Sequence, residues 1–315
     1  MTPRERLLIV LAGKVPDCVP VSPDFSNMIP CRRTGKPFWD IYLYQDPPLH
    51  EAYLDTARHF DIDALYDTSF PLDLSGGRDP NAPPWETYVV DRRADRRVTQ
   101  RSYQDNGRRV WAGTVDCYRV ADPPIRGIDP SRVHLPPEPE RWEPLEGVKE
   151  VDRGPAAFAR FKEAMGEQGL VSLSLASTLA FQDEEAVYRY YDHPDKHEQW
   201  AAERVEQVER RFEKIMALPV KPDFLTVGAS GTLVFQTVEM FRKVAFPAVR
   251  RAVELAAGAG IPTHAHSCGP EKELIRIMAR ETDLTVIDPL EQPPMGDCVL
   301  ADIKRHYGKD IVLKG

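Results

Sequence analysis

A chain of 315 residues, 42% hydrophobic and 29% charged, can bury a full core and suits one large α/β domain or two small ones. Its net charge of −8, without a Lys/Arg-rich run, argues against a nucleic-acid footprint. No apolar run approaches the roughly 18 residues that a membrane helix needs. The opening MTPRERLLIVLAGKVPD has no small-residue cleavage site after its apolar stretch and reads as an amphipathic helix. Cys18, Cys31, Cys117, Cys268 and Cys298 are irregularly spaced and odd in number, a poor disulfide framework. They predict a cytoplasmic protein with reduced thiols.

Two candidate strands come first, VPVSPDF (19–25) and DIDALYDTS (61–69), each beside helical sequence. The stretch from Trp85 to Val120 then alternates apolar and polar residues around an Asn106-Gly107 turn signal, which predicts an antiparallel meander. LPPEPERWEPLEG (135–147) reads as an extended connector. From residue 155 onward, apolar runs at 170–177, 223–229, 261–267, 284–288 and 310–314 alternate with helical patterns broken near Pro194 and Pro247. Such runs between helices predict a parallel sheet covered on both faces. We expect a single (β/α)8 TIM barrel over 1–315, with 85–150 inserted after the second strand. Seven barrel strands can be counted where eight are needed, so the last βα unit is expected to lie beyond Gly315, in some 30 or more further residues.

The most unusual motif is HAHSCG, His264 to Gly269, at the end of the fifth expected strand. Period-two alternation puts residues 264, 266 and 268 on one face, with His264 roughly 7 Å deeper than His266 from a rise of about 3.3 Å per residue. Functional groups of a barrel collect at the C-terminal strand ends, which places His266 and Cys268 at the mouth and His264 in the interior. Imidazole and thiolate suit zinc. The same pair could also be packed core, or a thiol with its base.

The H-S-C-G run at 266–269, the F-x-x-x-x-x-P pattern from Phe241 to Pro247, the opening MTPRERLLIVLAGKVPDCVPV and the later DPLEQPPMGDCVLADIKRHYGKDIVLKG resemble the uroporphyrinogen decarboxylase superfamily. The resemblance covers most of the chain, is most specific over 223–315, and implies the (β/α)8 barrel. The decarboxylases of that superfamily carry an R-Q-A-G-R-Y segment for substrate carboxylates. Here the region reads PDFSNMIPCRRTGKPFWD, with Arg32 and Arg33 but not the motif. The H-x-C-G run is what the cobalamin-dependent methyltransferase branch uses for zinc, which implies His266 and Cys268 as ligands. That branch's third ligand is a cysteine nearer the C-terminus than this chain reaches. Within the chain, Glu291 at the sixth strand end is the expected third ligand, and Cys298 reads better as a helix-start residue following an Asp297 N-cap.

The resemblance therefore implies zinc-dependent methyl transfer between a corrinoid, carried on a partner protein that docks at the mouth, and a small thiol or O-methyl substrate. Asp67, at the end of the second strand, is expected to bind substrate, with Asp24 in a like place on the first. Asp288 is expected to orient His266 from behind. The alternative is a metal-independent decarboxylase, whose substrate carboxylates would need cationic groups of which only Arg32 and Arg33 stand out.

Overall fold

Strands that are apolar on both faces need cover on both sides, and amphipathic helices between them supply it. The computed structural model describes residues 1–23, 26–74, 82–181 and 183–315, apart from the side chain of Asp67. In chain order the elements are α1 (Pro3–Leu11), α2 (Met28–Arg33), α3 (Phe38–Tyr42), α4 (Leu49–His59) and β1 (Leu65–Ser69). Then come β2 (Glu86–Arg92), β3 (Arg96–Asp105), β4 (Arg108–Arg119), β5 (Ile125–Ile128) and β6 (Glu143–Pro144). The rest alternates: α5 (Pro155–Met165), β7 (Gly169–Ser174), α6 (Glu184–Asp192), α7 (His197–Met216), β8 (Phe224–Thr226), α8 (Thr232–Phe235) and α9 (Val238–Met240). It continues through α10 (Phe246–Gly258), β9 (Thr263–His266), α11 (Lys272–Glu281), β10 (Val286–Asp288), α12 (Leu300–Tyr307) and β11 (Val312–Leu313).

The chain divides into two compact units, one of Met1–Ser22, Asp63–Leu74 and Arg153–Gly315, the other of Pro23–Ile62 and Ser75–Asp152. The first holds a parallel sheet of six strands in the order β1-β7-β8-β9-β10-β11. Its core joins α1 to the sheet through Leu7, Leu11, Ala64, Tyr66, Leu170, Phe224 and Val286. The α1 end is locked by a capping box between Thr2 and Glu5, and Arg4 reaches the buried Asp223 at the start of β8. The Pro247 break expected in the sequence is a π-helical turn over Phe241–Ala245, from which α10 restarts with the proline in its first turn.

The closed eight-stranded barrel is not what forms. The sheet curls but stays open, with β1 and β11 at its two ends and unpaired to each other among the described residues. The expected first strand, 19–25, makes no ladder over its described residues. Pro20 and Pro23 lack the N–H that a ladder needs. The segment is instead held beside the start of β1 by isolated bonds: Val21 N–H donates to Asp63 Oδ2 at 2.9 Å, Ala64 N–H to Val21 O at 3.3 Å and Tyr66 N–H to Ser22 Oγ at 3.0 Å. A groove of about 1080 Å³ runs along β11, lined by residues that include Leu11, Val19, Tyr66 and Lys314.

The second unit holds the expected meander, an antiparallel sheet in the order β5-β4-β3-β2-β6. Asn106 and Gly107 turn β3 into β4 with φ of 48° and 81°, the left-handed values a tight hairpin demands. Trp39, Leu43 and Tyr118 pack together in one core of this unit, and Val98, Val115, Cys117 and Val133 in another. The stretch read as a connector contributes β6, a two-residue edge strand on β2 that ends in a proline.

Candidate functional site

The site grows from the parallel register of β9 and β10, which sets Val286 level with His264 and Asp288 level with His266. Asp288 is thereby placed where one carboxylate oxygen meets both imidazoles. His264 Nε2 donates to Asp288 Oδ1 at 2.9 Å and His266 Nδ1 donates to the same oxygen at 2.8 Å. The other oxygen, Oδ2, accepts from Lys314 Nζ at 2.5 Å, from just past β11. Burial works against the charge of Asp288, which is 2% exposed, but the two histidines and the Lys314 ammonium hold its carboxyl well below the usual carboxylate range.

With Nδ1 committed to Asp288, His266 turns Nε2 outward, and Cys268 Sγ lies 3.2 Å from it. This is the arrangement by which a carboxylate fixes the orientation of a ligating or basic imidazole. His264 is fully buried, its ring edge-on to Tyr66 and Phe224, as expected for the interior member of the trio. Burial raises the Cys268 thiol, and Glu291, Glu271 and Asp288 raise it further, while a contact to Ser230 Oγ pulls the other way. A free thiolate here is disfavoured; a bound cation would offset the surrounding acids.

Glu291 follows β10 in a turn whose Leu290 has φ of 60°, and its Oε2 accepts from Gly269 N–H at 2.6 Å. The expected third ligand is thus beside the Cys268-Gly269 turn, with one oxygen already occupied. Gly269 itself has φ of 93°, and a Cβ built there would lie 2.5 Å from Val234 of α8. Val234 is 54% exposed and its neighbour Phe235 66%, so exposed apolar surface lies beside Gly269.

Two participants were not foreseen in the sequence, Lys314 and Glu271. Glu271 is fully buried, accepts from Leu290 N–H at 2.8 Å through Oε2, and has no partner for Oε1 among the described residues. Burial pushes its carboxyl up to about 9, so it holds a proton at neutral pH. Cys298 is buried beside it and is raised to about 11 by burial and by Glu271 and Asp297. The expectation that Asp297 caps its own helix is corrected. Val299 is the N-cap of α12, and Asp297 Oδ1 instead accepts from Lys272 N–H at 2.9 Å, capping α11. The side chain of Asp67 and the whole of Asp24 lie outside the described residues, although the Asp67 backbone is part of β1. Arg33, one of the two cations considered for substrate carboxylates, is paired with Asp55 at 2.6 Å.

His266 and Cys268 converge as two donors of the type zinc takes, held by a carboxylate behind the imidazole. Among the described residues, no three His, Cys, Asp or Glu side chains are gathered into a metal-holding group. Among the described residues, too, no helix is long and apolar enough to cross a membrane. No protein family's sequence profile matches the chain, and neither does any curated protein or solved structure.

Proposed function

We propose that the protein is a zinc-dependent methyltransferase, moving a methyl group between a corrinoid on a partner protein and a small thiol or O-methyl substrate. The observation that carries this reading is the pairing of Cys268 Sγ with His266 Nε2 at 3.2 Å, with His266 Nδ1 clamped by Asp288. The sequence resemblance described above supplies the reaction class, and the geometry supports it by presenting two suitable donors at the end of β9. Zinc, when bound, would supply Lewis acidity that lowers the pKa of a thiol or polarises an ether oxygen. His266 and Cys268 would hold it, and Glu291 would add an oxygen by giving up Gly269 N–H. Asp288 keeps the imidazole oriented. Glu271, protonated and fully buried, spares the site a further negative charge. Val234, beside Gly269, and its neighbour Phe235 would offer the partner an exposed apolar seat.

Metal analysis of the purified protein tests the reading, and Co²⁺ substitution gives a thiolate-to-cobalt charge-transfer band as a second readout. We expect about one zinc per chain and consumption of methylcobalamin in the presence of a thiol from a panel. A protein that takes up neither zinc nor cobalt would sink the proposal.

A second reading rests on the same line of atoms, since Cys268, His266 and Asp288 also follow the order thiol, imidazole, carboxylate of a cysteine nucleophile. Rapid alkylation of Cys268 by iodoacetamide at neutral pH in chelator would favour it. The raised thiol pKa weighs on the other side.

A further inference from the structure

The antiparallel sheet of the second unit carries a feature unrelated to the cysteine site. On β2, β4 and the segment before β6, Tyr88, Trp111 and Trp142 stand around the guanidinium of Arg109. Its carbon lies 4.6 Å from the Tyr88 ring centre and 5.6 Å from each tryptophan ring. The rings are walls rather than a stack: Tyr88 meets Trp111 at 71° and Trp111 meets Trp142 at 69°. Arg97, Arg101 and Arg126 in the same sheet each lie over a single ring. Arg92 and Arg96 are matched with carboxylates, those of Glu143 and Asp91. Arg109 enters no ion pair among the described residues, and its Nη1 donates to Ser102 Oγ at 2.7 Å. Its charge is therefore balanced mainly by ring faces.

We propose that Tyr88, Trp111 and Trp142 form a binding site for a small quaternary ammonium ion, plugged in this structure by Arg109. A planar guanidinium can lie flat on one wall of such a box, which is what the 4.6 Å approach to Tyr88 and the longer 5.6 Å distances to the two indoles describe. A rounded cation with its charge spread over methyl groups touches three steeply inclined walls at once. That chemistry suits the box better than its present occupant. Access is open on one side, because Trp142 is 45% exposed. Displacement breaks one hydrogen bond: Arg109 sits one residue inside the Asn106-Gly107 hairpin end, and moving it into solvent takes the donor from the fully buried Ser102 hydroxyl, a cost the incoming cation has to offset. This inference does not depend on the proposed methyl transfer.

The test is a titration of the full chain with tetramethylammonium chloride at constant ionic strength, followed through the indole N–H resonances of Trp111 and Trp142. We expect saturable shifts at both indoles in the wild type and binding roughly tenfold tighter in Arg109→Ala, where the plug is gone. Trp142→Ala should lose at least about fivefold in affinity. Arg109→Lys guards against misfolding of the alanine variant, since it keeps a cation on the hairpin but fits the box less well, and it should also bind more tightly than the wild type. Binding by the variants with none by the wild type would overturn the proposal and make Arg109 a permanent filler. Absence of binding in all of them would overturn it as well.

Discussion

Cys268 lies two residues past β9, where a serine would change volume little, so Cys268→Ser is expected to abolish the cobalt charge-transfer band while leaving the thermal transition in place. Retention of the band would remove Cys268 from the ligand set. His264→Ala and His266→Ala should differ in kind. The first deletes a fully buried ring that donates to Asp288, costing on the order of 1–3 kcal/mol with metal uptake retained, and the second loses the metal. Lys314→Met leaves Asp288 Oδ2 without its ammonium, and metal affinity is expected to fall about tenfold, with Lys314→Arg restoring most of it. Equal affinities in all three proteins would deny Lys314 any part in holding the site. Glu271 gives a pH dependence of known sign. Its pKa is raised on folding, so its share of stability is full below about pH 4.5, the unfolded value, and is lost as pH rises through about 9. Glu271→Gln mimics the protonated acid and should flatten the loss of thermal stability between pH 6 and pH 9. Parallel pH profiles for the two proteins would count against a buried neutral acid.

At the scale of elements, the site depends on how closely β8 approaches β9. A Cβ built on Gly228 would lie 2.2 Å from His266 N and 2.5 Å from His266 O, distances no backbone can accept without shifting. Gly228→Ala is therefore expected to displace the end of β9, costing about 1–3 kcal/mol and weakening metal binding without touching a ligand. Gly258→Ala, at the end of α10 with nothing within 4 Å of the added carbon, serves as the control and should change neither. The same closeness explains what the sequence could and could not reveal. The strands at 170–174, 224–226 and 263–266 were legible because each lies in a run whose pattern is a local property of the chain. For the trio at 264, 266 and 268, alternation puts all three on one face and the rise along the strand sets His264 deeper, which agrees with its full burial. Lys314 and Glu271 were not legible, because their roles arise only when β11 and the start of α11 are laid beside Asp288 and Leu290. Asp297 shows the limit most plainly. It has the chemistry of a cap, and it caps a helix, but the helix is α11, some distance back along the chain.

At the scale of the molecule, the chain leaves the parallel-sheet unit twice, and the second excursion starts and returns at neighbouring points. Asp73 N–H donates to Arg153 O at 2.9 Å, so the residues that flank the 75–152 excursion in sequence are held side by side within the parallel-sheet unit. The strand before that excursion, β1, finds its partner only after it, with Leu65 opposite Gly169. Bringing those strands together in an unfolded chain closes a loop of roughly 100 residues, an entropic toll that long-range pairing meets before any contact rewards it. A meander that folded early would shorten the loop by drawing its own ends together, and the chain path therefore predicts that the meander forms first. Pulse-labelled hydrogen exchange should find the amides of β2, β3 and β4 protected before those of β1 and β7. Val98→Ala, which hollows the meander core, should slow the appearance of the β1–β7 protection although the two lie in different units. Protection of β1 and β7 first, at a rate indifferent to Val98, would mean that the parallel sheet closes the long loop unaided.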